Sequence, residues 1–208
     1  MIQKKDFVEI KYIAKIKDDG VFDTNIKEEA EKINLNISSK PLIICIGEKM
    51  ILPAVDEFLV GKEIGKEYSI ELEPEKAFGE RRKELVKIMP ISVFREKNIT
   101  PQTGKVFSFD NFLGKINAVS GGRVIVDFNH PLAGKTLIYN LKLKRKITEE
   151  KEKIKSLMIA YFGKEFDFEV KEKKLIIKTD GKEDEFIKLF SNKFKDILNL
   201  EVEIAKKQ

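Results

Sequence analysis

The sequence predicts an α+β fold: an antiparallel sheet around one short helix, a small β-rich insertion, and a C-terminal α/β unit. Three observations support this prediction. Apolar and polar residues alternate between Val8 and Ile16. Pro53 opens a short segment with one apolar face, and a helical period replaces the alternation after Thr148. The 208 residues suffice for one or two domains, or for three if one is small.

The first part of the chain is typical of short strands joined by turns. Val8, Ile10 and Tyr12 share one face of a half-buried strand. A turn at Asp18–Gly20 leads into the extended piece Val21–Asp23, and a polar connection follows. We therefore expect antiparallel pairing here, continued by a third strand in the apolar run 42–46.

A short helix and a further strand complete this part. Pro53 suits the first helical turn because its missing N–H has no partner to lose there. Val55 and Leu59 lie on one face of the helix, and Gly61 can end it in a left-handed conformation. The alternation resumes at Tyr68, which predicts the next strand.

The middle of the chain is a separate β-rich segment. Pro90–Asn98 is predicted as a short helix, and strands are predicted at 106–108, 115–119 and 123–128. Another strand is predicted at 136–143, beyond a loop that contains Asn129-His130-Pro131.

From Thr148 onward the pattern predicts helix, strand, strand, helix, strand. Thr148 is expected to cap the first helix with its side chain, and Gly163 to end it. A hairpin is predicted over 166–177, then a Phe-rich helix over 186–198 and a last strand over 200–204. About sixty residues form a marginal domain alone, so we expect this unit to dock or to dimerise.

Composition excludes several classes of function. Cys45 and His130 are the only residues of their types, which excludes a disulfide framework and a two-histidine zinc site within one chain. No Gly-x-Ser-x-Gly, Gly-x-Gly-x-x-Gly or Walker-type motif is present. We therefore expect no metal and no cofactor, so that an enzyme of this composition would work by shape and electrostatics.

The same reasoning limits the expected partners and location. The formal net charge of +5 is too small for a dedicated nucleic-acid binder, so no nucleic-acid partner is expected. No apolar run approaches the roughly 18 residues of a membrane-spanning helix. The first residues lack the apolar stretch of a signal peptide. We therefore expect a cytoplasmic protein with no membrane partner.

Five segments of the sequence together resemble the motifs of one known family, in the same order along the chain. They are the strand with Tyr12, the turn 19–23, the stretch from Gly47 through Met50-Ile51-Leu52-Pro53-Ala54-Val55, the run Pro74–Gly79, and the hexapeptide Asn129–Gly134. On these, residues 1–148 resemble FKBP-type peptidyl-prolyl isomerases of the SlyD-like group, with a domain inserted in the flap. The whole chain looks like the long archaeal type.

The resemblance implies the domain plan. An FKBP-like isomerase domain would comprise 1–83 and 129–148, an insert-in-flap chaperone domain 84–128, and a C-terminal domain for dimerisation or client binding 149–208. The expected partners are unfolded or partly folded polypeptides with X-Pro bonds, and a homodimer through 149–208 is a further expectation.

The resemblance also implies the site. The expected catalytic residues are Tyr12, Phe22, Asp23 and Tyr139, with Asp23 paired to the Tyr12 hydroxyl and facing the twisting carbonyl. The expected substrate-binding residues are Leu42, Ile51, Leu52, Val55 and Phe78. Family members commonly have tyrosine at the position of Phe78 and aromatics at those of Val55 and Leu42, so a roomier pocket and modest activity are expected.

Considered without the family, these residues admit a plainer interpretation. Leu42, Ile51, Leu52 and Val55 could simply be core residues, and Phe22-Asp23 the end of a strand. The chemistry nevertheless agrees with the resemblance. Rotation about an X-Pro bond crosses a barrier of about 18–20 kcal/mol without any bond to a catalyst. An apolar pocket that strips water from the amide therefore suffices.

The inserted segment has more apolar residues than its size requires. Val93 and Leu113 belong to this apolar set, and we expect part of the set to form a client-binding surface. The residues concerned are Ile88, Met89, Ile91, Phe94, Phe107, Phe109 and Phe112. The alternative is that they pack the insert's own sheet.

Two other functions remain open from the sequence. One is a binding-only chaperone with a decayed isomerase pocket, which the residues at Phe78 and Val55 motivate. The other is a scaffold or ribosome-associated factor that acts through the C-terminal unit.

Overall fold

The computed structural model describes residues 1–38, 40–109 and 112–206. These residues form two compact units, one of 1–71 with 138–208 and the other of 72–137. The strands are β1 (Phe7–Ile16), β2 (Val21–Thr24), β3 (Leu42–Cys45), β4 (Glu67–Leu72), β5 (Val86–Pro90), β6 (Val106–Phe109), β7 (Phe112–Ser120), β8 (Arg123–Asp127), β9 (Leu137–Ile147), β10 (Asp167–Lys171), β11 (Lys174–Thr179) and β12 (Glu201–Lys206). The helices are α1 (Lys27–Lys32), α2 (Pro53–Leu59), α3 (Ile91–Glu96), α4 (Glu150–Phe162) and α5 (Asp184–Leu198). The predicted α+β class is confirmed.

The first unit is built on a sheet with the strand order β2-β1-β9-β4, in which β3 also pairs with β1. Both β2 and β3 run antiparallel to β1, with Ala14 opposite Asp23 and Ile10 opposite Leu42. Val8, Ile10 and Ala14 are buried, as the alternation predicted. A bulge between Ala14 and Lys15 precedes the turn into β2.

Helix α2 begins at Pro53, as predicted, and buries Val55 and Leu59. The nearly buried Asp56 carboxylate accepts hydrogen bonds from the backbone N–H groups of Gly47 (3.0 Å) and Lys49 (2.9 Å). These bonds tie the loop after β3 to the first turn of α2. They therefore fix the stretch that leads to Ile51 and Leu52.

The C-terminal residues share a hydrophobic core with the sheet. Leu157 and Phe194 of α4 and α5 belong to the same buried cluster as Phe7, Cys45 and Ile147. The strands β10 and β11 form the predicted hairpin, and β12 adds to β11 in parallel. The expected docking of the last sixty residues is therefore intramolecular in this chain.

The start of α4 corrects one prediction. The residue before the helix is Glu149, which makes no side-chain capping hydrogen bond, so the cap expected from Thr148 is absent. The carboxylates of Glu150 and Glu152 instead lie in the first turn, where the helix dipole favours negative charge. Gly163 ends the helix in the left-handed conformation, as predicted.

The second unit contains the antiparallel sheet β5-β8-β7-β6 and helix α3. Its core consists of the buried side chains Phe94, Phe109, Ile116, Val124 and Val126. Gly114 lies where a side chain has no room, because an added Cβ would stand 2.6 Å from the Val126 Cγ1 atom. The sequence did not predict β5, nor helix α1 in the first unit.

Candidate active site

A tyrosine–aspartate pair lies where β1 and β2 run side by side. The Tyr12 hydroxyl donates a hydrogen bond of 2.7 Å to the Asp23 Oδ2 atom, and both side chains are half-buried. The register puts Ile13 opposite Thr24 and Ala14 opposite Asp23, which brings the two side chains within reach. Because the acceptor is a carboxylate, this is one of the stronger types of hydrogen bond.

The backbone of Tyr12 is held in place by the two residues that follow Asp23. The buried Thr24 hydroxyl donates to the Tyr12 carbonyl oxygen at 2.6 Å. The Asn25 side chain accepts from the Tyr12 N–H at 2.8 Å and donates to the Ile10 carbonyl oxygen at 2.8 Å. Sequence reasoning missed Thr24 and Asn25. Their position at the end of a predicted strand, where such side chains often bond to backbone, was the available signal.

Two further aromatic rings lie next to the pair. The Tyr139 ring is stacked on that of Tyr12 at a centroid distance of 6.1 Å and 27° between planes. The Phe22 ring meets Tyr139 edge to face, at 6.3 Å and 82°. Tyr139 is buried, whereas Tyr12 and Phe22 are half-buried. The structure therefore brings together all four residues that were expected to be catalytic, in an apolar setting with one carboxylate.

Both phenols stay protonated at neutral pH. Burial, together with the hydrogen bond to Asp23 and its negative charge, raises the pKa of Tyr12 far above its ordinary value. Burial and the nearby Asp23 charge raise the pKa of Tyr139 to about 12. The two hydroxyl groups are therefore hydrogen-bond donors, and neither is suited to exchange its proton during a reaction near pH 7.

The loop from β3 to α2 carries the next expected residues. Leu52 precedes the first turn of α2, and its carbonyl oxygen accepts from the Val55 N–H at 2.9 Å. In the part of the chain that the structure describes, the Leu52 N–H has no hydrogen-bond acceptor. Ile51 and Leu52 are half-buried and Val55 is fully buried, as is typical of a pocket rim and floor. Leu42, at the first position of β3, is also half-buried. A role of these four residues in substrate binding stays a prediction.

Phe78 belongs to the second unit. Its ring stacks on the His130 imidazole, with centroids 4.3 Å apart and planes at 3°. The His130 Nδ1 atom accepts from the Leu132 N–H at 3.2 Å, and the Gly134 N–H donates to the Gly79 carbonyl oxygen at 2.8 Å. The motif pieces 74–79 and 129–134 thus lie together, and His130 shapes the turn.

An ion pair fixes the chain at the base of the inserted sheet. The Arg81 guanidinium bonds to the Asp127 Oδ2 atom at 2.5 Å. The N–H of Asn129 donates to the Asp127 Oδ1 atom at 3.0 Å. Partial burial alone would raise the pKa of Asp127, but these bonds outweigh it and lower the pKa to about 2. The carboxylate is therefore charged throughout the physiological range.

The insert's apolar residues divide into a core and a surface. Phe94 and Phe109 lie in the buried core of the insert, so in this structure they are unavailable to a client, contrary to the expectation for them. Met89, Ile91 and Phe107 are half-buried. Ile88 and Phe112 are 66% and 71% exposed.

The exposed apolar residue Val106 was missing from the prediction, whereas Leu113 was counted among the insert's apolar residues without being assigned to the client surface. Val106 and Leu113 lie beside Phe112 along a cavity of about 760 Å³ in the second unit. The alternation along β6 was the signal for Val106, since Phe107 and Phe109 occupy the other face.

Comparison with known proteins places this arrangement in a family. Residues 1–94 match the profile described as FKBP-type peptidyl-prolyl cis-trans isomerase, and residues 87–132 match that described as FKBP26, IF domain. A short-type peptidyl-prolyl cis-trans isomerase of Methanocaldococcus jannaschii is 31% identical over 147 residues, which is 69% of this chain and 93% of that protein. The chain belongs to the FKBP-type peptidyl-prolyl cis-trans isomerase family.

More distant members agree. The SlyD isomerase of Helicobacter pylori is 29% identical over 143 residues, covering 65% of this chain and 77% of that protein. A 16 kDa FKBP-type isomerase of Escherichia coli is 27% identical over 111 residues, 51% of this chain and 74% of its own. The predicted SlyD-like relationship is confirmed, and the chain is an FKBP-type isomerase. Of the helices described, none has both the length and the apolar character to span a membrane.

Proposed function

We propose that this FKBP-type isomerase twists X-Pro bonds without covalent chemistry, in a pocket formed by Tyr12, Phe22, Asp23 and Tyr139. The hydrogen-bonded Tyr12–Asp23 pair, with the rings of Phe22 and Tyr139 next to it, is the observation that carries the proposal. Ring faces and edges take up the proline ring, and removing water from the amide lowers the cost of losing its resonance.

Two polar groups would act on the twisted amide. The Asp23 carboxylate, oriented by Tyr12, faces the carbonyl as its partial charge moves during rotation. The Leu52 N–H, which lacks an acceptor among the described residues, would donate to a carbonyl of the bound peptide. Leu42 and Ile51, both half-buried, would supply apolar contacts to the residues around the proline, over a floor formed by the buried Val55.

A chaperone activity would accompany the isomerase. We infer it from the exposed apolar side chains of the insert, which are many for so small a unit. They are Ile88, Val106, Phe112 and Leu113. The buried Phe94 and Phe109 would hold the sheet that presents them. Unfolded chains would bind this surface and reach the isomerase pocket from it.

Paired variants separate the two activities. Asp23→Ala with Tyr139→Ala should abolish turnover of a proline tetrapeptide while suppression of client aggregation survives. Phe112→Ser with Leu113→Ser should do the reverse. Loss of both activities in either pair would contradict the division. Wild-type protein that suppresses aggregation without any turnover would be a binding-only chaperone.

A homodimer through the C-terminal residues is a further part of the proposal. Phe186 and Leu189 of α5 are 47% and 74% exposed, although the same helix buries Ile187 and Phe194. Such side chains are depleted on monomer surfaces when they occur as neighbours. Sedimentation of the full chain and of its Leu189→Glu variant would test this proposal. The wild type should sediment as a dimer and the variant as a monomer, and a monomeric wild type would contradict the proposal.

A further inference from the structure

Among the described residues, the strand β3 pairs with β1 along one edge and has no strand partner along the other. The register pairs Ile44 with Val8 and Leu42 with Ile10, and the Ile46 N–H donates to the Asp6 carbonyl oxygen. Because N–H and C=O groups alternate sides along a strand, the even-numbered residues of β3 face β1 and the odd-numbered ones face outward. Ile43 and Cys45 are the outward pair.

Only one of these two residues has its backbone occupied. The Cys45 N–H donates to the Met50 sulfur at 3.1 Å, and its carbonyl oxygen accepts from the Glu48 N–H at 3.2 Å. No described residue outside the ladder bonds to the N–H or the carbonyl oxygen of Ile43. An extended chain could therefore pair with β3 at this residue.

A groove of about 330 Å³ lies beside this edge, between β3 and α4. Its apolar lining comes from Pro41, Leu42, Ile43, Met50, Ile159 and Ala160. Ile159 and Ala160 are exposed on α4, although the neighbouring Leu157 and Met158 are completely buried. An apolar side chain from a bound strand would cover them.

The charged residues around the groove are already paired. The Lys40 ammonium bonds to the Glu165 carboxylate at 2.6 Å, and Lys155 stands 3.6 Å from the same carboxylate. Glu152 is bonded to Arg145, and the Ser156 hydroxyl donates to the Lys153 carbonyl oxygen. Among the described residues that line the groove, each charged side chain has an ion-pair partner, so the groove suits an uncharged apolar segment.

We propose that the groove between β3 and α4 binds an extended, apolar segment of the client polypeptide, which adds as a strand to the edge of β3 at Ile43. This inference rests on the proposed function, because Leu42 lines the groove and is also expected to contact the substrate in the isomerase pocket. A chain advances about 3.3 Å per residue when extended. Client residues a few positions from the proline would thus occupy the groove. The substrate site would then extend from the isomerase pocket to helix α4.

The test uses the full chain and an uncharged, proline-free probe, Ac-Val-Thr-Val-Ile-Thr-Val-NH2, followed by NMR. Binding should protect the Ile43 amide from exchange and shift the methyl signals of Ile159 and Met50. Ile159→Glu should weaken this binding about tenfold, a loss of about 1.4 kcal/mol. Val60→Glu is the control, because Val60 is also a β-branched residue and is 40% exposed, against 38% for Ile159. This substitution should leave probe binding unchanged.

Three results would overturn the inference. One is probe binding that leaves Ile43 and Ile159 unperturbed, and another is equal weakening by both variants. The third is a shift of the same signals with protein concentration when no probe is present, since a second copy of the chain would then occupy the groove. Exchange of a proline tetrapeptide, measured separately, reports on the isomerase pocket, so failure of the proposed function would be recognised independently.

Discussion

Replacing Tyr12 by phenylalanine removes one hydroxyl and nothing else from the site. The lost contact is the 2.7 Å hydrogen bond to Asp23, between two half-buried side chains. Hydrogen bonds to charged groups contribute about 1.5–3 kcal/mol, and the half-exposed Asp23 can regain water, so we expect a loss near the lower value. In a chain of this size that corresponds to a fall in Tm of roughly 3–6 °C.

Tyr139→Phe is the matched control. Among the described residues, the Tyr139 hydroxyl has no hydrogen-bond partner, whereas its ring makes the same kind of aromatic contacts as that of Tyr12. Its removal should change the free energy of unfolding by less than about 0.5 kcal/mol. Urea unfolding of the three full-length proteins measures both. Equal destabilisation by the two substitutions would refute the assignment of the Tyr12–Asp23 bond as the one that holds the site together.

Three further predictions concern pH and packing. The pKa of folded Tyr139 is raised to about 12 from an ordinary 10.0, because the site disfavours the phenolate. The free energy of unfolding should therefore fall as the pH rises from 10 to 12, and urea unfolding across this range should show a shallower fall for Tyr139→Phe. The pKa of Asp127 is lowered to about 2 from 3.8, so the charged carboxylate stabilises the fold above pH 4 and this stabilisation is lost between pH 4 and 2. Asp127→Asn should lower the free energy of unfolding by about 1 kcal/mol at pH 7 and remove this dependence on acid, which melting temperatures measured across the pH range would show. Gly114→Ala should destabilise the insert by about 1–3 kcal/mol, because the added methyl group overpacks against Val126. Gly20→Ala is the control and should leave the stability unchanged, because the added Cβ would have no atom within 4 Å. Similar melting curves for the two variants would contradict the packing argument.

The sequence predicted those elements whose pattern is local. Alternation located β1 and the β10–β11 hairpin, and Pro53 and Gly163 marked the start of α2 and the end of α4. Helix α1 was missed because its six residues, Lys27–Lys32, bury only Ala30 and show no apolar stripe. Strand β5 was missed because the adjacent apolar residues Ile88 and Met89 interrupt the alternation of apolar and polar residues.

The sequence indicated which residues form the site better than it indicated their burial and hydrogen bonds. The family resemblance implied Tyr12, Asp23 and Tyr139 together, and the structure joins them by a hydrogen bond and a ring contact. Which Phe residues of the insert are buried depends on pairing between distant strands, so no local pattern could separate Phe109 from Phe112. The bonds from Thr24 and Asn25 to the backbone of β1 likewise depend on a register that the sequence does not specify.

The most direct measurement is cis–trans exchange of an Ala-Leu-Pro-Phe peptide by NMR, with catalytic amounts of the full chain and of its Asp23→Ala variant. The account predicts accelerated exchange by the wild type and at least a tenfold lower kcat/KM for the variant, about 1.4 kcal/mol of lost transition-state stabilisation. Exchange that the variant accelerates as well as the wild type would contradict the central role of the Tyr12–Asp23 pair.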